Sequence, residues 1–196
     1  MRTARASTNR IRSLLSGGDR RSIARSGEVR ELIEGNPALV ADLAILTRDS
    51  DWLVTQRALD LLEKLAHDHI AWVEPHKDVF IGPLANSDKW EIRLQIVRAL
   101  PLFTWTVAQS KRVEAILIEN TKFPQTFVRA WALDSLATLA TLAARRSRLA
   151  PIVEEKLSEF ELSGSKALQA RARNIRARME RPPLKRSGSA PSGRRR

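Results

Sequence analysis

The chain has 196 residues, 43% of them apolar and 29% charged, and its 34 Lys/Arg against 22 Asp/Glu leave a net charge of +12. This balance predicts one globular domain with a sizeable core, and no run approaches the ~18 uninterrupted apolar residues of a membrane span. Cysteine is absent, which excludes a disulfide framework, a thiol nucleophile and Cys-ligated zinc.

The positive charge belongs to the ends. Residues 1–30 carry eight Arg against Asp19 and Glu28 (+6), residues 31–143 carry 11 Lys/Arg against 15 Asp/Glu (−4), and residues 144–196 carry 15 against five (+10). Basic ends suit nucleic acid or another polyanion, which they meet electrostatically without reading a sequence.

Taken in order, MRTARASTNRIRSLLSGG (1–18) predicts a disordered basic tail. It lacks the apolar core of a secretory signal, so the expected compartment is the cytoplasm; its Arg/Ser-rich, acid-free composition keeps organelle import as the alternative. Gly17-Gly18 mark a break, and a first helix is expected over 19–34. Gly35-Asn36-Pro37 separates it from a very apolar second helix over 38–47. Asp49-Ser50-Asp51 offers N-cap chemistry for a helix over 51–67. After the His67-Asp68-His69 turn, a partner helix is expected over Val73–Ala85, with Pro75 near its start.

The next pair is expected over 88–103, ended or kinked by Pro101, and 108–121. A third pair covers 124–144 and 149–162, with Pro151 in the first turn of its second member. A last helix follows Gly164 and places Leu168, Ala172, Ile175 and Met179 on one face. Residues 182–196, rich in Ser, Gly, Pro and Arg, have no hydrophobic period and predict a disordered tail. No stretch alternates apolar and polar residues, so no strand is expected.

Ala58, Ile96, Ala132 and Ala172 are equivalent stripe positions at spacings of 38, 36 and 40, each preceded four residues earlier by Val54, Ile92, Val128 or Leu168. Self-similarity near 40 residues with two helices per unit is the signature of a helical solenoid, because one amphipathic hairpin cannot cover its own apolar face. The runs EIRLQIVRALPLF, FVRAWALDSLATLA and KALQARARNIRARM resemble HEAT repeats of the armadillo type, and small bacterial-type HEAT proteins in particular. The first copy departs from the pattern, carrying Thr55 where later copies have Arg93 and Arg129.

The resemblance implies an all-α fold, a right-handed α-solenoid of about three to four helix pairs over 19–181 with charged capping helices. It also implies a non-catalytic adaptor that takes a protein segment on a concave face lined by Val73–Ala85, Ala108–Thr121 and Leu149–Leu162.

Arg93 and Arg129 are expected to brace the inter-repeat turn through Asp88 and Asp134. Trp52 and Trp90 occupy one place in successive repeats, which predicts inter-repeat packing; a stacked anchor for a peptide or base is the alternative. Trp105, beside a turn, is expected to be exposed and is a binding candidate. Trp131, with Asp134 three residues on and Arg129 nearby, resembles the site of HEAT-like DNA glycosylases that excise alkylated bases. Against that enzymatic alternative stand the absence of tyrosine and the acidic body.

His67, Asp68 and His69 read as turn residues rather than metal ligands, and no cofactor motif is present. Arg171, Arg173, Arg176 and Arg178 on the last helix, with Arg194, Arg195 and Arg196 beyond it, are candidates for an anionic partner. Nothing in the sequence fixes the oligomeric state.

Overall fold

The computed structural model describes residues 2–180, and among them there is no strand. Ten α-helices follow one another: α1 (Arg2–Leu15), α2 (Ser26–Gly35), α3 (Val40–Leu46), α4 (Trp52–Asp68), α5 (Ile70–Val73), α6 (Trp90–Ala99), α7 (Val107–Asn120), α8 (Thr126–Ala140), α9 (Ala143–Glu161) and α10 (Lys166–Glu180). They build an α-solenoid of two layers. In the first layer α4, α6, α8 and α10 lie side by side; in the second, α3, the segment 70–86, α7 and α9 each pack against them. Single helices of this composition bury one stripe only, so each pair depends on its neighbours for a core.

The eight repeat-equivalent stripe residues, Val54, Ala58, Ile92, Ile96, Val128, Ala132, Leu168 and Ala172, are all at most 3% exposed. All but Val128 join one continuous core that also takes Phe80, Leu100, Leu136 and Phe160. Local chemistry sets the helix ends. The Asp51 carboxylate accepts from the Leu53 N–H at 2.9 Å to start α4. Thr106 and Gln109 close a reciprocal capping box at the head of α7. Pro101 ends α6, whose chain tightens into a 3-10 turn over Leu100–Leu102.

Several sequence expectations are corrected. The N-terminal stretch is not a tail but α1, because Ile11, Leu14 and Leu15 are buried against the solenoid. Its polar residues dock as well: Ser7 and Thr8 donate to the Asp42 carboxylate, and Arg12 pairs with Asp49 at 2.7 Å. The helix expected over 19–34 begins only at Ser26, since Asp19 turns the chain by accepting from the Arg21 and Ser22 amides.

The helix expected over Val73–Ala85 is a short α5 followed by 3-10 turns over Glu74–Phe80 and Pro83–Asn86. Pro75 and Pro83 each remove a donor and bar an α-helical turn before them. In the opposite sense, α9 begins at Ala143, so Pro151 lies inside it rather than in its first turn. The expected tail 182–196 lies outside the described residues.

Arg57 fastens the N-terminal cap. Only 2% exposed, its guanidinium donates to four carbonyls of the α1–α2 connection: Leu15 at 2.6 Å, Gly17 at 2.7 Å, Asp19 at 2.9 Å and Ser22 at 3.0 Å. Gly17 (φ +82°) and Gly18 (φ +69°) give that connection the left-handed turn that brings its carbonyls together. Removing the guanidinium leaves buried acceptors unpaired, so Arg57→Ala is expected to lower stability by about 3 kcal/mol or more. Arg57→Lys should recover little, because an ammonium lacks the planar fork. Urea unfolding of both variants measures this; a loss within the ~0.5 kcal/mol of ordinary surface substitutions would contradict it.

Candidate functional site

The outer side of the first layer carries a row of side chains that bind one another from helix to helix. Gln95 on α6 donates to Asp60 on α4 at 2.9 Å, and Arg98 on α6 meets the fully buried Glu63 on α4 at 3.0 Å. His67, one turn beyond Glu63, approaches the same carboxylate at 2.9 Å. Two guanidiniums reach Trp131 from the helices on either side of α8: Arg98 at 5.2 Å and Arg171 at 4.6 Å from the ring centre. Asp134, 8% exposed, accepts from Arg171 at 3.2 Å on one oxygen and from Arg178 at 2.6 Å on the other.

This row brings Trp131 and Asp134 together, as their spacing in the sequence suggests, but as partners of arginines. The Trp131 ring is engaged by two guanidiniums, and each Asp134 oxygen is held by an arginine.

Arg93 and Arg129 brace the inter-repeat turns by a route other than the expected one. Arg93 donates to the Ser87 carbonyl at 2.6 Å and lies over Phe123 at 5.3 Å. Arg129 donates to the Thr121 carbonyl at 3.1 Å and lies over Phe160 at 5.3 Å. Neither uses Asp88 or Asp134: orphan carbonyls at helix and turn ends are the nearer acceptors, and the acid that Arg93 does meet is Glu119, at 3.4 Å. Trp52 and Trp90 make inter-repeat contacts. The Lys89 ammonium sits 5.4 Å over Trp52, and Trp90 meets Phe127 edge-on at 4.7 Å.

Trp105 is buried, at 7% exposure, with its indole N–H donated to the Leu100 carbonyl at 2.8 Å. The expectation of an exposed anchor is therefore wrong: the 3-10 turn at Pro101 folds the chain back over the ring. His69 stacks on Trp72 at 3.8 Å while His67 turns to Glu63, and no metal-ligating cluster occurs among the described residues.

Most of the α10 cations have internal partners. Arg171 and Arg178 hold Asp134, and Arg176 bridges Glu154 at 2.8 Å and Glu161 at 2.6 Å on α9. Its guanidinium keeps both carboxyls below their ordinary range. Arg173 and Arg178 are exposed, Arg171 and Arg176 partly buried; Arg194, Arg195 and Arg196 lie outside the described residues.

The second layer differs. Arg145 donates to Ser110 and Arg148 to Glu114, both at 2.7 Å, so α7 and α9 run parallel at offsets of 35 and 34 residues. At the same register Val107 and Leu142 face outward, 83% and 49% exposed, and Lys111 and Arg146 are also exposed. Sequence reasoning missed this pattern because its repeat alignment rested on the first helices; the spacing of 35 between Val107 and Leu142 was its only trace.

No family model matches the sequence, and no curated protein matches it. Solved structures do match in fold. An engineered protein of the Northeast Structural Genomics Consortium aligns with a TM-score of 0.60 and 21% identity over 90% of this chain and 73% of its own. A designed armadillo repeat protein, solved in complex with the peptide (KR)4, aligns at 0.61 and 15% identity over 85% of this chain and 71% of its own. A second engineered protein gives 0.58 and 18% over 86% and 77%. The chain thus has the armadillo/HEAT-type helical-repeat fold. Among the described residues, no helix is long and apolar enough to cross a membrane.

Glu63 supplies a test of the interlocked row. Burial pushes its carboxyl above the ordinary value of 4.5, against the opposing pull of Arg98 and then His67. A carboxyl raised in the folded state binds more protons folded than unfolded. Its contribution therefore favours folding below 4.5 and is lost as pH rises toward the folded value. The stability of Glu63→Gln relative to the parent chain is expected to increase as pH is raised from 4.5. Parallel denaturation curves at stepped pH measure this, and a constant difference would contradict it.

Proposed function

We propose that this protein is a non-catalytic repeat scaffold that holds a protein segment across its second-layer helices. The observation that carries the reading is the parallel pair α7 and α9. Its repeat-equivalent residues Val107/Leu142 and Lys111/Arg146 stand outward at one offset, while the first layer's polar side chains are engaged with one another. A parallel pair at constant register presents the same side-chain types at regular intervals, which is what an extended chain needs in order to be read along its length. A designed repeat protein of the same fold is seen in complex with a peptide, which supports the reading without specifying the ligand.

The second-layer surface is narrower than the sequence suggests, since the segment 70–86 contributes turns and not a full helix. The basic ends assist with attraction to an anionic partner, as steering more than as recognition. The enzymatic alternative, excision of alkylated bases, is not favoured by a clamped Asp134.

A photo-crosslinking side chain at position 107 or 142 is expected to capture peptides from a displayed library, and one at Gln56 or Leu94 on the first layer is not. Capture only from the first-layer positions would overturn the reading. In parallel, alkylated DNA incubated with the protein should release no base, and Asp134→Asn should lower stability; base release abolished by that substitution would establish the enzyme instead.

A further inference from the structure

The proposed scaffold surface has a definite chemistry. Around the N-terminal halves of α7 and α9 stand Lys111, Arg112, Arg145, Arg146 and Arg148. The acid facing them there is Glu114, which is buried and already paired with Arg148. Asp78, at the edge, accepts from Gln109. Neither helix has an acidic residue in its first turn, so the positive ends of both backbone dipoles add to the side-chain charge. Arg145 Nη2 donates to Ser110, while Nη1 is buried and has no acceptor among the described residues. Val107 and Leu142 lie at the same end and leave two aliphatic side chains exposed beside the cations.

We infer that the segment held here is acidic, an extended polypeptide carrying apolar residues interleaved with Asp or Glu. This rests on the scaffold reading above and narrows it to a partner class. Apolar side chains of such a segment would cover Val107 and Leu142, and carboxylates beside them would meet Lys111 and Arg146.

Nucleic acid fits less well, because single strands are held by aromatic stacking platforms. Trp105, just before α7, is buried, and the exposed apolar side chains of this face, Val107 and Leu142, are aliphatic. The charge is also opposite to that needed for a Lys/Arg peptide such as the one bound by the designed neighbour.

The test uses the intact chain and three probes: a fluorescein-labelled Glu/Leu peptide, its Lys/Leu and Ser/Leu counterparts, and a single-stranded RNA oligomer. The Glu/Leu peptide is expected to bind and to weaken with added salt. The double variant Lys111→Glu with Arg146→Glu should lose at least about tenfold in affinity, Val107→Ser with Leu142→Ser should also weaken it, and Arg173→Glu should not. Lys111→Gln with Arg146→Gln keeps the test open if charge reversal impairs folding.

An unchanged affinity for the Glu/Leu peptide in both cation variants overturns the inference. RNA binding lost in those variants, with peptide binding absent, assigns the surface to nucleic acid. Peptides that crosslink from positions 107 and 142 whatever their charge sink the acidic preference but leave the scaffold; no crosslink from any peptide removes both.

Discussion

A helix with neighbours on both sides in its own layer, and a second layer beneath it, has little surface left for water. In α6 this constraint is extreme: Glu91, Arg93 and Gln95 are buried along with Ile92, Ile96 and Val97. Polar groups in such a place must bond to one another or weaken the fold. They therefore bond across helices, Gln95 to Asp60, Arg98 to Glu63, Ser135 to the Val97 carbonyl, and Arg171 and Arg178 to Asp134. Each bond fixes the register of one repeat against the next. The tie is not perfect, since Glu63 Oε2 and Arg98 Nε lack partners among the described residues. It is nevertheless what ties the first layer into a frame.

Freedom is found where that constraint relaxes. The second layer meets the first along one side only, so α7 and α9 keep an outward face, and their contacts with each other are few and polar. The ends are closed by different means. At one end α1 is held by buried leucines and by bonds to Asp42 and Asp49; at the other, Arg176 ties α10 back to α9. The charge that makes the ends look like polyanion sites is thus partly consumed in holding them to the body. Exposed cations also stand on the N-terminal halves of α7 and α9, at Lys111 and Arg146.

The repeat was legible because burial leaves a period: the stripe from Val54 to Ala172 appears in the sequence as plainly as in the core. Pro101 and Asp51 were legible because their effects are local. The N-terminal helix was not. Its arginines suggested a tail, and only the docking of Ile11 and Leu15, with a carbonyl cradle around Arg57 some 40 residues away, gives it a place. Trp105 and the α10 arginines show the same limit. Residue type indicates what a side chain can bind, but whether it is free depends on partners that the fold brings from distant positions. Asp134 was recognised as belonging with Trp131, but the two arginines that claim it come from α10.

The central claim is that pairing, not only burial, separates the frame from the free face. Arg98 and Arg171 have side chains 29% and 30% exposed, yet both are engaged with a carboxylate and an indole, whereas Arg146 is exposed. Arginine-selective dicarbonyl labelling of the native protein, followed residue by residue with mass spectrometry, measures this difference directly. The account requires Arg146 to react well ahead of Arg98 and Arg171, with Arg57 the slowest. Equal labelling of Arg98, Arg171 and Arg146 would contradict it.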